Sequence, residues 1–403
     1  MRRIFRMVMM TVVLASGVQA QQPDLALPCQ DCCPDPPCYP PPPPDYPVRV
    51  AMYYPWWSGV REPGTPCWPG CRSEYCKAGP DGRCPKWKEI QNFWYHPDFD
   101  ANGVFDWVPG RTRSVDLYND WDPQVVQKQI ERMAQAWVSG LVASWWNSGS
   151  TEDDKIRGVV FPTLAAQRHS LVAGTFYYES KGNNRAEKVQ EAYNLLNHLW
   201  SDFRSRVLVT GDGRPVVFVY APWYKGWSGK NQPPSPPACE VFQWWKELVL
   251  DEFQREHGVR PFLVADFHPD ALTNCAAYHH KGDWGWHFYS PPAGSYYTER
   301  WAYGFRHTQT LRPGFARHCW AQPEGGRREC NYSDQEYGTP RNPQAFEAAA
   351  TMAQSYWKRA RYFQIITSWN EWLEFTSVEP AVEWWSSSGL GTYLDILAAH
   401  PVP

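Results

Sequence analysis

The sequence predicts a single (β/α)8 TIM-type barrel with disulfide-stapled loop insertions. Short apolar runs of β type alternate with helical stretches, which indicates parallel strands joined by crossover helices. Eight such units can be counted, and the roughly 355 residues after position 47 suit a barrel with loop insertions. No glycine-rich phosphate turn follows the first strand, so a doubly wound open sheet is the less favoured alternative.

The predicted elements follow this alternation in chain order. Strands are expected at Val48 to Tyr54, Leu141 to Trp145, Leu171 to Tyr178, Pro215 to Tyr220, Pro261 to Phe267, Trp284 to Tyr289, near Thr310 to Phe315, and Tyr362 to Trp369. Helices are expected at Asp122 to Val138, Ala186 to Phe203, Val241 to His257 and Asn342 to Arg359. The carboxyl ends of the strands should therefore meet at one rim of the barrel.

The first twenty residues predict a secretory signal peptide. A basic stretch precedes a short apolar run, and a small-x-small cleavage site ends at Ala20. This run is far shorter than the ~20 residues that a bilayer requires, and no later segment is long and apolar enough to span a membrane. Residues 21–47 are interpreted as a Cys- and Pro-rich extended linker, and residues 48–403 as the barrel domain. We expect a secreted or extracytoplasmic protein, with a monomer as the default.

The twelve cysteines fit an oxidising compartment, where disulfides staple a loop-rich chain. The preferred later pairs are Cys319 with Cys330 and Cys239 with Cys275. The other cysteines form two clusters, Cys29, Cys32, Cys33 and Cys38 in the first and Cys67, Cys71, Cys76 and Cys84 in the second. A four-sulfur zinc site is the alternative for the second cluster, but its irregular spacing and the export signal favour disulfides. No metal or other cofactor is expected.

The aromatic content is unusual, with 24 Trp and 22 Tyr, whereas the formal net charge of −3 excludes a nucleic-acid footprint. Aromatic rings stack on the C–H faces of sugars, although they also fill cores. The ends of the predicted strands bring aromatic, carboxylate and amide groups to one rim, which favours a sugar-binding cleft. The candidate residues there are Tyr54, Trp57, Trp145, Trp146, Glu179, Asp266, His268, His287, Tyr289 and Asn370.

Two glutamates, Glu371 and Glu374, follow the eighth predicted strand. Glycoside cleavage uses two carboxyl groups in different protonation states, and mutual repulsion raises the pKa of one of them. An E-x-x-E pair is common by chance, but its position after an apolar run and between Trp369 and Trp372 favours catalysis. Glu379 is a third acid nearby, and the absence of a G-x-S-x-G elbow argues against an α/β-hydrolase.

Two further groupings of possible metal ligands have less support. Asp266-x-His268 offers two ligands, which are too few for a metal site. The run Glu152-Asp153-Asp154 is better interpreted as a solvated helix start, where acids suit the helix dipole.

Four blocks carry a family resemblance. They are Tyr53 to Trp56, Leu141 to Asn147, Phe176 to Glu179 followed by Asp212 to Pro215 and Val217 to Tyr220, and Ile366 to Glu374 with the trailing Glu379-Pro380. In this order they resemble glycoside hydrolase family 99, the endo-α-1,2-mannosidase and mannanase group, and its relatives in family 71. The likeness spans roughly residues 48 to 397. Within the last block, Leu373 stands where the family has His, and Phe375 stands where it has Gly.

The resemblance implies a secreted, retaining glycoside hydrolase that acts on an α-linked, mannan-like oligo- or polysaccharide. Glu371 would deprotonate the 2-hydroxyl of the substrate, and Glu374 would protonate the leaving sugar. Glu179 and Tyr289 would hold sugar hydroxyls, and Trp145 or Trp146 would stack. The alternatives are a non-catalytic glycan-binding protein on the same barrel and a transferase-like, glycan-assembly protein. The export signal argues against the latter, because nucleotide-sugar donors are cytoplasmic.

Overall fold

The computed structural model of the chain describes residues 48–67, 76–84, 86–87, 95–106, 114–168, 170–179, 186–220, 238–266, 284–287, 289, 295–299, 307–316, 338–355, 360–374 and 376–402. The predicted signal peptide and the Cys- and Pro-rich linker lie outside these residues. Among the helices that the structure describes, none combines the length and apolarity needed to cross a bilayer.

A mixed sheet of nine strands forms the centre of the fold. Eleven strands are described in all, namely β1 Val48–Tyr53, β2 Gly140–Trp145, β3 Ala173–Tyr178, β4 Val216–Val219, β5 Phe262–Asp266, β6 Trp284–His287, β7 Tyr297–Glu299, β8 His307–Leu311, β9 Phe315–Ala316, β10 Gly338–Thr339 and β11 Ala360–Ile366. The sheet order is β6-β5-β4-β3-β2-β1-β11-β8-β7, while β9 and β10 form a separate antiparallel pair. All neighbours from β6 to β8 are parallel, and β7 joins β8 antiparallel.

The eight parallel strands correspond to the eight that the sequence predicts. The seventh lies at His307–Leu311, a few residues before its expected place, because the chain from Phe315 pairs with β10 instead. Within the described residues no ladder joins β6 to β8, although their Cα atoms come within 8 Å of each other. The structure therefore shows a curled half-barrel, and complete closure stays a prediction.

Helices connect the parallel strands. They are α1 Pro123–Gln135, α2 Thr151–Lys155, α3 Phe161–Ala166, α4 Ala186–Phe203, α5 Ala238–Trp244, α6 Glu252–His257, α7 Pro343–Ser355 and α8 Thr392–Ala399. The start of α1 follows its sequence signals, since Pro123 begins the helix and the Asp122 carboxylate accepts the Gln124 N–H at 2.9 Å. It ends before Trp137, whose φ of 58° is incompatible with a continuing helix.

Two apolar layers lie on opposite faces of the sheet. Along β1, Ala51 and Tyr53 belong to an outer cluster that also contains residues of the helices. Val50 and Met52, with Tyr54 directly after the strand, belong to an inner cluster to which the described helices contribute nothing. Because side chains alternate along a strand, every second residue faces the inside of the half-barrel. This alternation decides which residues at the strand ends reach the rim.

The run Glu152-Asp153-Asp154 does begin a helix, α2, whose N-cap is Ser150. The prediction that this start is solvated is wrong for two of its three acids, because Glu152 and Asp153 are buried. Asp153 accepts hydrogen bonds from the indole of Trp145 and the guanidinium of Arg157, both at 2.8 Å. The Asp153 carboxylate therefore serves as a hydrogen-bond acceptor and ion-pair partner within the fold.

A disulfide joins Cys67 to Cys84, and Cys76 and Cys239 are also disulfide-bonded. This cross-link uses two of the four sulfurs that a zinc site in this cluster would need, so the disulfide interpretation is confirmed for Cys67 and Cys84. The other partners that the sequence predicts, Cys71, Cys275, Cys319 and Cys330, lie outside the described residues. The pairs Cys239–Cys275 and Cys319–Cys330 stay predictions.

Gly140 allows β2 to pack closely against β1, and this contact gives a first testable prediction. A Cβ atom at Gly140 would lie 2.4 Å from Cγ1 of Val50. Gly140→Ala is therefore expected to lower the free energy of unfolding by about 1–3 kcal/mol, measured by urea denaturation. Gly158→Ala is the matched control, because a Cβ there has no neighbour within 4 Å. Equal stability of the two variants would contradict the close contact.

Candidate active site

A chain of hydroxyl groups crosses the carboxyl-terminal rim of the sheet. Tyr54, directly after β1, donates a hydrogen bond to the Tyr289 hydroxyl at 2.7 Å. Tyr289, which follows β6, donates in turn to Oε2 of Glu374 at 3.1 Å. Glu374 lies on the loop after β11, so residues far apart in sequence meet at one place. The structure thus brings together three of the residues that the sequence predicts for the site.

Asn370 fixes the loop after β11 to the end of β1. Its side-chain oxygen accepts the Tyr54 N–H at 2.7 Å, and its side-chain nitrogen donates to the Tyr54 carbonyl at 3.0 Å. The carbonyl of Asn370 also accepts the indole N–H of Trp57 at 3.0 Å. Asn370 is fully buried, so it positions the loop and Tyr54 with both ends of its amide.

Glu371 follows Asn370 in the same loop and is only 2 % exposed. One carboxylate oxygen accepts the Leu373 N–H at 3.0 Å, and its own N–H donates to the Ser368 hydroxyl at 2.8 Å. Burial raises the pKa of Glu371 well above its usual range, and the negative charges of Glu374 and Glu179 raise it further. A buried carboxyl beside other carboxyls is a stronger base than an exposed one, and this direction of shift suits acid–base chemistry near neutral pH.

Glu179 approaches the same site from the end of β3. Burial raises its pKa to about 8, the charge of Glu374 adds to this, and the Ser144 hydroxyl and Trp146 indole oppose it. Glu179 is therefore mainly protonated at neutral pH and can donate a hydrogen bond. Burial and the surrounding carboxylates also raise the pKa of Tyr289 well above its ordinary value, which keeps this hydroxyl a donor.

Two cations that the sequence analysis missed face these acids. The Lys86 ammonium lies 4.5 Å from the ring centre of Trp56 and 5.7 Å from that of Trp146, and its charge opposes the raised pKa of Glu371. Burial lowers the pKa of Arg312 to about 10, and the charge of Glu374 counteracts this change. The only sequence signal for Lys86 is its position two residues after a cluster cysteine.

Aromatic residues form the floor beneath Tyr289. The ring of Tyr177 stacks at 6.1 Å with an interplanar angle of 16°, and Tyr220 packs edge-on at 5.8 Å. His287 is fully buried, with its ring 5.6 Å from that of Tyr177. The Asp266 carboxylate accepts the Tyr289 N–H at 3.4 Å. Asp266 and His287 therefore lie where they support the tyrosines of the rim.

Three predicted residues lie in the protein core, away from the hydroxyl chain. Trp145 is fully buried in the outer cluster, because its position in β2 faces the helices. Trp57 is fully buried with its ring 4.0 Å from that of Trp87. Glu379 is buried behind the loop, where burial raises its pKa to about 7. It accepts hydrogen bonds from Tyr118 at 2.6 Å, Gln129 at 2.8 Å and Trp369 at 2.8 Å.

Neighbours of the buried tryptophans do reach the site. Trp146 directly follows Trp145 and faces the inside, and Trp56 directly precedes Trp57 and packs at 5.5 Å against Trp146. Trp57 is held in place by Lys155, which donates to its carbonyl at 2.7 Å. His268 and Phe375 lie outside the described residues.

One group of acids among the described residues could hold a metal ion. Carboxylate oxygens of Asp98, Asp100 and Asp116 lie within 4.8 Å of one another. Asp98 and Asp116 already accept backbone N–H groups, for example those of Gly103 at 2.8 Å and Phe99 at 2.6 Å. The two buried carboxylates therefore have a structural role, because they accept hydrogen bonds from the backbone of the loop that surrounds them.

Solved structures of other proteins have a fold similar to that of this chain. The GH99 endo-α-mannosidase from Bacteroides thetaiotaomicron in complex with bis-tris propane matches with a TM-score of 0.51 at 17% identity, over 84% of this chain and 87% of that chain. The chain has a GH99-like fold. A second structure of the GH99 endo-α-mannosidase from the same organism matches with a TM-score of 0.51 at 16% identity, over 88% of this chain and 96% of that chain. No protein-family model and no curated protein sequence matches the chain. The GH99-like fold confirms the structural side of the family resemblance.

Proposed function

We propose that this protein is a secreted, retaining glycoside hydrolase that cleaves an α-linked, mannan-like glycan with Glu371 and Glu374. The observation that carries the proposal is the hydroxyl chain from Tyr54 through Tyr289 to Glu374, next to the buried Glu371. A rim of carboxyls, tyrosines and tryptophans matches the needs of a sugar, which offers hydroxyls and flat C–H faces. The GH99-like fold supports the same assignment.

The proposed reaction has two steps. Glu371 takes the proton of the substrate's 2-hydroxyl while that oxygen attacks the anomeric carbon and forms an epoxide-like intermediate. The bond to the leaving sugar breaks, and its oxygen receives a proton from Glu374. In the second step Glu374 takes a proton from water, whose oxygen attacks the anomeric carbon. The 2-oxygen then recovers its proton from Glu371, so two inversions give net retention.

The raised pKa of Glu371 suits this role, because a base of higher pKa is better matched to a weakly acidic hydroxyl. Glu179 and Tyr289 would hold sugar hydroxyls close to the two catalytic groups. Trp56 and Trp146 form the aromatic surface against which a sugar ring would stack.

Product analysis on a glycan panel tests the proposed function. Purified protein is incubated with α-mannans, α-glucans and mixed glycans, and the released sugars are identified by mass spectrometry. The wild type is expected to release oligosaccharides from an α-linked glycan, whereas Glu374→Gln should release none while keeping the near-ultraviolet circular dichroism of the wild type. Glycan binding without any product from the wild type would show instead a non-catalytic glycan-binding protein.

A further inference from the structure

Three acids in one site require compensating charge. The charges of Glu374 and Glu179 oppose the ionisation of Glu371, and the charge of Glu374 also opposes that of Glu179. The proposed mechanism nevertheless needs Glu371 ionised, with the proton on Glu374. A cation placed beside Glu371 alone would favour this arrangement, because it stabilises negative charge at that position.

Lys86 lies within electrostatic reach of Glu371. Its ammonium group lies over Trp56 at 4.5 Å and within 5.7 Å of the ring centre of Trp146, both on the aromatic side of the site. An ammonium over aromatic faces keeps its charge in a partly desolvated place. Its positive charge opposes the raised pKa of Glu371. On another side of the site, the charge of Glu374 acts on Arg312.

Lys86 belongs to a segment that the fold holds rigidly. We call residues 58–67, 76–84, 86 and 87 the insertion loop. An isolated antiparallel bridge pairs Val60 with Arg83, the Cys84 N–H donates to the Gly59 carbonyl at 3.0 Å, and the Cys67–Cys84 disulfide cross-links the loop. On the other side of Lys86, the buried Trp87 indole donates to the Tyr118 carbonyl at 3.0 Å. The lysine is thus placed between two anchored neighbours.

The backbone of Lys86 provides an independent observation. Its φ of 72° lies in the left-handed region, which L-residues other than Gly, Asn and Asp adopt rarely. Glycine would adopt this conformation at lower cost, so a lysine here goes against local backbone preference. Such outliers cluster at functional sites.

We propose that Lys86 is a positioning residue of the proposed glycosidase, a cation that the insertion loop places beside Glu371 as the counterion of the reactive carboxylate. This inference rests on the proposed function, because it assigns Glu371 the role of base. Lys86 itself does not need to touch the substrate. It acts through Glu371, leaving the proton of the pair on Glu374.

The loss of Lys86 is expected to change the pKa of Glu371 in one direction. The groups that face Glu371 are Glu374 on its own loop, Glu179 after β3, Tyr54 after β1, Tyr289 after β6 and Lys86 on the insertion loop. Of these, Lys86 is the one that lowers the pKa of Glu371 by its charge. Removing it raises this pKa further, so the base becomes protonated at higher pH and the acidic limb of the pH profile moves upward.

Three substitutions at Lys86 test the proposal. Lys86→Met removes the charge at similar volume, Lys86→Arg keeps it, and Lys86→Gly removes it while relieving the backbone. On a glycan cleaved by the wild type, Lys86→Met and Lys86→Gly are expected to lower kcat/KM on the acidic side of the optimum by about three- to tenfold. Their acidic limbs should both move to higher pH. Lys86→Arg should keep the wild-type limb, and Lys86→Gly should be at least as stable as the wild type in urea.

A purely structural role predicts a different pattern, in which Lys86→Met loses activity equally at every pH and Lys86→Arg does not rescue it. A second readout is independent of turnover. Protein labelled with ¹³C at the glutamate side-chain carboxyl is titrated by NMR, and Glu371→Gln assigns the Glu371 signal. Lys86→Met should move the titration of this signal to higher pH. An unchanged titration overturns the Lys86 proposal even in an active enzyme, whereas a shifted titration in a protein without hydrolytic activity overturns the proposed function alone.

Discussion

Glu371→Gln is expected to lower kcat/KM on the natural glycan by about 10²- to 10⁴-fold, the usual contribution of a positioned acid–base group. The amide preserves the shape of the side chain and can still accept the Leu373 N–H, so the loop should stay folded. What it loses is the ability to remove a proton from the 2-hydroxyl. Steady-state kinetics with the glycan identified on the panel would measure the loss.

A substrate with a better leaving group distinguishes the proposed roles of Glu371 and Glu374. With an activated aryl α-glycoside, the phenolate departs without a proton, so Glu374→Gln should recover part of its rate. Glu371→Gln should recover little, because the 2-hydroxyl must still be deprotonated. The reverse pattern would exchange the two assignments. Glu347→Gln, at an exposed position of α7, is the control for the chemical change itself and should keep wild-type kinetics.

The sequence predicted the region of this site because parallel strands necessarily end at one edge. It could not predict which of two adjacent tryptophans faces inward. In a parallel sheet covered on both faces, apolar residues occur on both sides of a strand, so the alternation disappears from the pattern. Trp145 and Trp146 look equivalent in sequence, and only one of them faces the inner side.

Long-range pairings explain the other differences. The contacts of Glu379 come from α1, from Tyr118 and from its own loop, and no local pattern shows on which side of the loop its carboxylate lies. Lys86 and Arg312 reach the acids from segments that are remote in sequence from Glu371. Their type and spacing carry no signal for a site. The fold class, by contrast, follows from many repeated local patterns.

Arg49→Met is expected to give the largest loss of stability, about 3–5 kcal/mol, because it removes at once a donor from each of four acceptors. Arg49 is 1 % exposed at the start of β1 and donates to the carbonyls of Ala136 at 2.9 Å, Leu397 at 2.8 Å and His400 at 2.5 Å, and to Gln364 at 2.5 Å. One guanidinium therefore ties β1 to the ends of α1 and α8 and to β11. Its planar fork of five donors is what makes this possible.

Burying the charge of Arg49 costs free energy, and removing this charge partly offsets the loss of stability expected for Arg49→Met. Burial lowers the pKa of Arg49 to about 9, which shows that the charge is held without the solvation it has in water. Methionine removes that penalty and fills part of the volume, so the net loss is smaller than four separate hydrogen bonds with unsatisfied partners would give.

Urea unfolding measures the loss, and hydrogen exchange should show that the amides of α8 open first. Arg255→Met is the matched control, since its side chain is 73% exposed and pairs with Glu252 at the surface, and it should leave the unfolding midpoint nearly unchanged. Equal unfolding midpoints for the two variants would mean that α8 is held mainly by its apolar face, through Leu394 and Leu397, and not by Arg49.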